Sequence, residues 1–223
     1  MTPYSVYDYL ASILPGATIL AAAIYAWLGL PRTEPGGSVV IGVLAASFVV
    51  GQLNSAIGAF LFPLLLRQWP WERPNSVYGL SSEFKQPIYD SMLKSIGKRL
   101  GLAEAGATVV FSAAYSELLT TPLKDMLMTL NRQIAFHRNM MAACLVSMVV
   151  SVAAFHSGRH YMNEGLWIPV LIISTALFGV RARRFWIDFG SHVWRGAFNV
   201  AKSASGSGQP QPSSDATLGG GPR

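Results

Sequence analysis

The sequence predicts an all-α membrane protein with four transmembrane helices and a helical cytoplasmic insert between the second and third, and three observations carry that prediction. Only 13% of the 223 residues are charged, against about 25% in soluble globular domains. Four stretches contain no Asp, Glu, Lys or Arg: Leu10–Leu30, Ser38–Leu66, Met140–His156 and Gly165–Val180. Lys and Arg are distributed unevenly around them. Fifteen of the 17 lie in the segment between the second and third stretches or after the fourth, and only Arg32 and Arg159 lie in the two short loops.

The first two stretches reach the roughly 20 residues needed to cross the apolar core of a bilayer, so they predict spans over 10–30 and 38–66, the first transmembrane hairpin of residues 1–66. The third and fourth are shorter, and predict spans over 140–156 and 165–180 whose ends are extended by snorkelling of Arg138, Arg159 and Arg181. The basic bias places both termini and the segment 67–139 in the cytoplasm. The net charge of +6 then follows from topology and requires no nucleic-acid-binding surface. Met1–Tyr9 has no Lys or Arg and carries Asp8, and the apolar run that follows is too long for the core of a cleaved signal peptide, so the first span is expected to be retained. Cys144, the single cysteine, falls inside the third span and is expected to be a small packing residue.

The insert 67–139 reads as helical throughout, because no part of it alternates apolar and polar residues long enough for a strand. Pro87 opens a helix with Ile88, Met92 and Ile96 on one face and Asp90, Lys94 and Lys98 on the other, and Gly101 ends it. A second helix is expected over 103–119. Thr121 is placed to cap a third, with Pro122 in its first position and Leu123, Leu127, Leu130 and Ile134 as its apolar stripe. Nothing stops this helix before Met140, so it should run into the third span as a single rod. After the fourth span, residues 181–202 predict an amphipathic juxtamembrane helix with Arg181, Arg184, Asp188, Arg195, Asn199 and Lys202 set against Phe185, Trp186, Phe189, Val193, Trp194 and Ala197. The tract 203–223 is too rich in Gly, Pro and Ser to pack and is expected to be disordered.

Polar groups inside spans are costly, and so are the natural functional candidates. Ser47, Gly51, Ser55 and Ala59 recur every four residues along the second span, a stripe of small residues that lets membrane helices approach closely. Gln52 and Asn54 point about 200° apart on a helix. Two readings of them stand: hydrogen-bonding glue between spans, or, in a symmetric oligomer, an aqueous path with Asn54, Ser47 and Ser55 lining it and Gly51, Gln52 and Ala59 packing behind. On the insert, Lys94, Lys98 and Arg99 form a basic cluster. It is either a solvated or headgroup-facing surface, or, repeated around an oligomer axis, a chamber for an anionic ligand such as a nucleotide or short oligonucleotide held by backbone electrostatics and stacking. His156 and His160 have helix-compatible spacing but lack the further ligands of a metal centre. No nucleophile elbow, zinc-protease, phosphate-loop or paired-carboxylate motif occurs, so no catalytic residue, metal or cofactor is expected.

The layout as a whole, with the runs YSELLTTPLKDMLMTLNRQIAFHRNM ahead of the third span and RARRFWIDFGSHVWRGAF after the fourth, resembles the small multi-pass membrane effectors of bacterial anti-phage operons, and most nearly the channel effectors of the Hailong system. The likeness is one of layout over residues 1–200, so no residue role is transferred. It implies a homo-oligomeric, ligand-gated ion channel or pore-forming effector of the bacterial inner (plasma) membrane, controlled by a nucleotide or nucleic-acid-like ligand. The alternative is a non-conducting scaffold or accessory subunit that docks a soluble partner from the same operon.

Overall fold

The computed structural model describes residues 6–29, 36–66, 86–158 and 164–206. These form six helices: α1 Val6–Leu28, α2 Gly37–Leu66, α3 Gln86–Arg99, α4 Ala107–Leu118, α5 Lys124–His156 and α6 Glu164–Gly206. No strand occurs among the described residues. Four of the helices, α1, α2, α5 and α6, are long and apolar enough to cross a membrane, and the protein is a multi-pass membrane protein with a helical insert between its second and third spans.

Local signals in the sequence explain where the helices stop. Gly101 has φ +69°, and around it Leu102 N donates to Gly97 O at 2.7 Å while Gly101 N donates to Lys98 O at 3.3 Å. This pair of bonds is the Schellman closure, and it needs the left-handed residue that glycine supplies. Gly158, φ +73°, ends α5 in the same conformation. At the start of α5 the Thr121 hydroxyl accepts from Leu123 N at 3.3 Å, although regular helix begins only at Lys124. The helix expected over 103–119 starts later, at Ala107, because the residues before it are held in turns, with Leu102 N donating to Gly97 O and Ala105 N to Leu102 O.

α5 and α6 form an antiparallel hairpin, and the rest of the chain packs on it. With 33 and 43 residues they are about 50 Å and 65 Å long, well beyond the roughly 30 Å of a bilayer core. Both therefore extend past the membrane. The register is set by His137, whose ring lies 6.0 Å from that of Phe178 and 5.2 Å from that of Phe185, and by Gly179, where an added methyl would stand 3.2 Å from Met141 Sδ. α1 and α2 pack on the later part of α5, whereas α3 and α4 pack on the later part of α6.

The expected fourth span and juxtamembrane helix are thus one continuous helix. Nothing at Val180–Arg181 breaks it, since Arg is a good helix former and the apolar face of the span is taken up directly by Ala182, Phe189, Val193 and Ala197, all buried. Around that face lies a core of large side chains: Tyr89, Met92 and Ile96 from α3, Val110, Phe111 and Leu118 from α4, Leu127 and Ile134 from α5, and Trp194 from α6. The buried edge of α3 is Tyr89–Met92–Ile96, not the expected Ile88–Met92–Ile96. Ile88 is 49% exposed, because the helix is turned so that the Tyr89 ring meets Trp194 edge-on at 5.4 Å.

Candidate functional site

In the bilayer half, α1, α2 and α5 meet along a seam of small and polar residues. Gly16 of α1 faces the Ser47 carbonyl and the Gly51 N–H of α2, and Gly51 in turn faces the Ser12 carbonyl. A Cβ on either glycine would overlap those backbone atoms. Backbones approach this closely only where side chains are absent, which is how helices associate in lipid. At the edge of the contact Gln52 Nε2 donates to Ser12 Oγ at 2.9 Å. Deeper in, Asn54 is 1% exposed and its Nδ2 donates to the backbone oxygen of Asn139 on α5 at 2.7 Å. Asn139 reaches the Ala11 carbonyl of α1 at 3.5 Å, and Ser147 reaches that of Thr18 at 3.4 Å.

The pore-lining candidates therefore lie inside a single chain. Ser47 and Asn54 are buried against α1 and α5, and Ser55 is half-buried. Among the packing candidates Gly51 is at the closest contact and Gln52 ties α2 to α1, but Ala59 is exposed and Gly58 is buried in its stead. The reason is geometric. Steps of four residues advance 40° beyond a full turn, so a stripe Ser47–Gly51–Ser55–Ala59 rotates away from its partner, whereas Ser47–Gly51–Asn54–Gly58–Phe62 stays on one face. The opposition of Gln52 and Asn54 is also seen, one at the rim and the other enclosed. Apart from Gln52 at the rim, the exposed side chains of the middle of α2 are apolar, with Ile41, Leu53 and Phe60 the most exposed.

The basic cluster on α3 divides. Lys94 and Lys98 are exposed and one turn apart. Arg99 is not available beside them: its guanidinium straps α3 to α4 through a bidentate pair with Glu117, Nη1 to Oε1 at 2.6 Å and Nη2 to Oε2. The hydrogen bonds from Arg99 hold the Glu117 carboxyl below the usual carboxylate range and raise the Arg99 guanidinium in return. Burial pushes the nearby Tyr115 phenol up.

Several residues in these contacts escaped the sequence reading. Ser12 and Gly16 make a small pair at i, i+4 in α1 that mirrors Ser47 and Gly51, a signal present in the sequence. Asn139 immediately precedes the third uncharged stretch, and only the tertiary structure shows its backbone oxygen as the acceptor for Asn54. Trp194 is fully buried and its Nε1 has no hydrogen-bond partner, which no sequence pattern reveals. Cys144 is buried and unpaired. His160 lies outside the described residues, so the His156–His160 pair is not part of this geometry; of the tail expected to be disordered from 203, residues 203–206 instead continue α6, and those from 207 lie outside the described residues.

Comparison with known protein families, with curated proteins and with solved structures finds no match. The functional reading rests on the geometry.

Proposed function

We propose that this protein is a homo-oligomeric, ligand-gated channel or pore-forming effector of the bacterial inner membrane, with both termini and the α3–α4 module in the cytoplasm and a role in anti-phage defence. The observation that carries the reading is the continuity of α5 and α6, which run unbroken from the bilayer half into the module that carries Lys94 and Lys98. A rigid helix transmits displacement along its axis, so a change in how α3 and α4 sit on α6 moves the spans. An anionic ligand, a nucleotide or short oligonucleotide, is the controller that matches two exposed lysines one turn apart. The excess of Lys and Arg in the segments around the module supports its cytoplasmic placement.

In this reading the seam of Ser47, Asn54 and Asn139 is the part of the bilayer half that can tolerate water, and the contact of Gly16 with Ser47 keeps it shut. Gating is then the parting of α1 and α2 from α5. The reading assigns no catalytic step and no cofactor. A second reading is favoured by one observation, the burial of Ser47 and Asn54 within their own chain, which leaves α2 a largely apolar outward face: the protein is then a non-conducting scaffold that docks a soluble partner through α3 and α4.

The test is the oligomeric mass of the nanodisc-purified protein, followed by planar-bilayer recording with added nucleotides. A closed oligomer that conducts, and an Asn54→Leu variant that assembles but has lost its current, is the expected result. A monomer that is silent under every nucleotide, with Lys94→Glu and Lys98→Glu without effect on any binding, overturns the channel in favour of the scaffold.

A further inference from the structure

We propose that Arg138 of α5 and Arg183 of α6 hold the phosphate of an anionic phospholipid at the junction of α2, α5 and α6. The aliphatic stem of Arg138 lies along α2, so that a methyl placed on Gly58 would stand 3.4 Å from Arg138 Cγ. One turn further along α2, Phe62 meets Trp186 of α6 edge-on at 5.4 Å, and Arg183 is one turn before Trp186. The tilted contacts of the His137 ring with Phe178 and Phe185 bring this part of α6 level with Arg138. The two arginines thus belong to one level of the structure, where three helices converge.

Each guanidinium has one enclosed donor that lacks an acceptor. Arg138 Nε and Arg183 Nε are enclosed and have no hydrogen-bond partner, and neither residue forms an ion pair with a described residue. Among the described residues no carboxylate pairs with either arginine. Between Asp125 and Asp188 the single acidic residue is Glu164, at the opposite end of α6. Enclosed cationic donors without an acceptor are costly, and Arg181 and Arg184, both exposed, add positive charge of the same sign. No described residue supplies the anion that these surroundings call for.

Depth identifies the anion. Trp167 and Trp186 stand about 29 Å apart along α6, the spacing of the two aromatic belts that flank an apolar core of about 30 Å. Arg138 and Arg183 are beside the second belt, at the level of lipid phosphates. The guanidinium fork matches a phosphate in bidentate fashion. A zwitterionic headgroup would bring its own cation into a cluster of four arginines, so an anionic phospholipid is the occupant. This inference is independent of channel activity.

The experiment compares the full-length protein in nanodiscs of phosphatidylcholine alone, of phosphatidylcholine with phosphatidylglycerol, and of phosphatidylcholine with inorganic phosphate in the buffer, reading thermal stability and, by native mass spectrometry, retained phosphatidylglycerol. Phosphatidylglycerol is expected to raise the melting temperature and to remain bound, and Arg138→Gln with Arg183→Gln is expected to weaken its retention by about tenfold. Arg184→Gln, at an exposed arginine, should keep it. If the glutamine pair fails to fold, Arg138→Lys with Arg183→Lys preserves the charge and removes the fork, and should still retain less lipid than the parent. Equal retention in the parent and the variants overturns the site, and a shift reproduced by inorganic phosphate in phosphatidylcholine alone overturns the lipid as its occupant.

Discussion

Where α1 and α2 cross beside α5, the nearest contacts are made by Ser12, Gly16, Ser47 and Gly51; where α3 and α4 meet α6, rings of Tyr89, Phe111, Tyr115, Phe189 and Trp194 pack with centroids 5.3 to 6.1 Å apart. The difference follows from the solvent each half displaces. Lipid tails are as apolar as leucine, so burying a large side chain between spans yields little, and helices gain instead from close backbone approach and interhelical hydrogen bonds. Outside the bilayer, water is displaced, and each large apolar side chain buried contributes about 1.5–3 kcal/mol. One chain therefore uses glycines as its contact residues at one end and aromatic rings at the other, and α5 and α6 take part in both.

The comparison is most easily broken at Trp194. Its side chain is fully buried, and Trp194→Ala should cost about 3–5 kcal/mol, seen as loss of protease resistance in α3 and α4 while the spans stay inserted. Trp194→Phe sharpens the point. Because the indole N–H has no partner, its removal gives back a desolvation penalty that offsets part of the lost contact, and the variant should remain much closer to the parent than Trp194→Ala in the same assay. A Phe variant as damaged as the Ala variant would show that the N–H is satisfied in the folded protein.

At the other end an added side chain, not a removed one, does the damage. Gly51→Val would drive two methyl groups into the Ser12 carbonyl, and overpacking of this kind costs about 1–3 kcal/mol. Disulfide cross-linking between cysteines introduced on α1 and α2 should fall in Gly51→Val and be unchanged in Ala59→Val, which places the same side chain at an exposed position. Equal cross-linking in the two variants would contradict the seam.

The smallest effect is expected at the strap between the two short helices. The side chains of Arg99 and Glu117 are 20% and 31% exposed, so solvent screens the pair and its worth is under about 1 kcal/mol. The Glu117 carboxyl is depressed in the folded state. Its contribution is accordingly present above the unfolded value of about 4.3 and lost as pH falls through the lower folded value, since the unfolded chain binds the proton first. Melting temperatures measured from pH 6 down to pH 3 should fall less steeply in Glu117→Gln than in the parent, and identical slopes would mean that the pair contributes nothing to pH dependence.

Much of the architecture was legible in the residues. Four uncharged stretches marked the spans, Gly101 marked the end of α3, and Leu127 and Ile134 marked the buried edge of α5, because each depends on hydropathy or backbone preference at one place in the chain. The candidate site was legible as a set of residues but not as an arrangement. Asn54 stood out as a polar residue in a span, yet its direction depends on Asn139, 85 positions away. Arg99 grouped naturally with Lys94 and Lys98 until Glu117 was brought opposite it, and Ala59 fitted a period of four that a helix of 3.6 residues per turn does not keep.

The sequence by itself determined that this chain is helical, that it spans a membrane several times, and which faces of α5 and α6 are apolar, since periodicity and hydropathy are properties of one helix at a time. The fold alone shows that α6 runs unbroken from the spans into the α3–α4 module, that Ser47 and Asn54 of α2 turn inward, and that Arg138 and Arg183 share a level with no described carboxylate paired to either. Those are relations between helices. They depend on which elements become neighbours and in what register, and pairwise packing of that kind leaves no periodic trace in either partner alone.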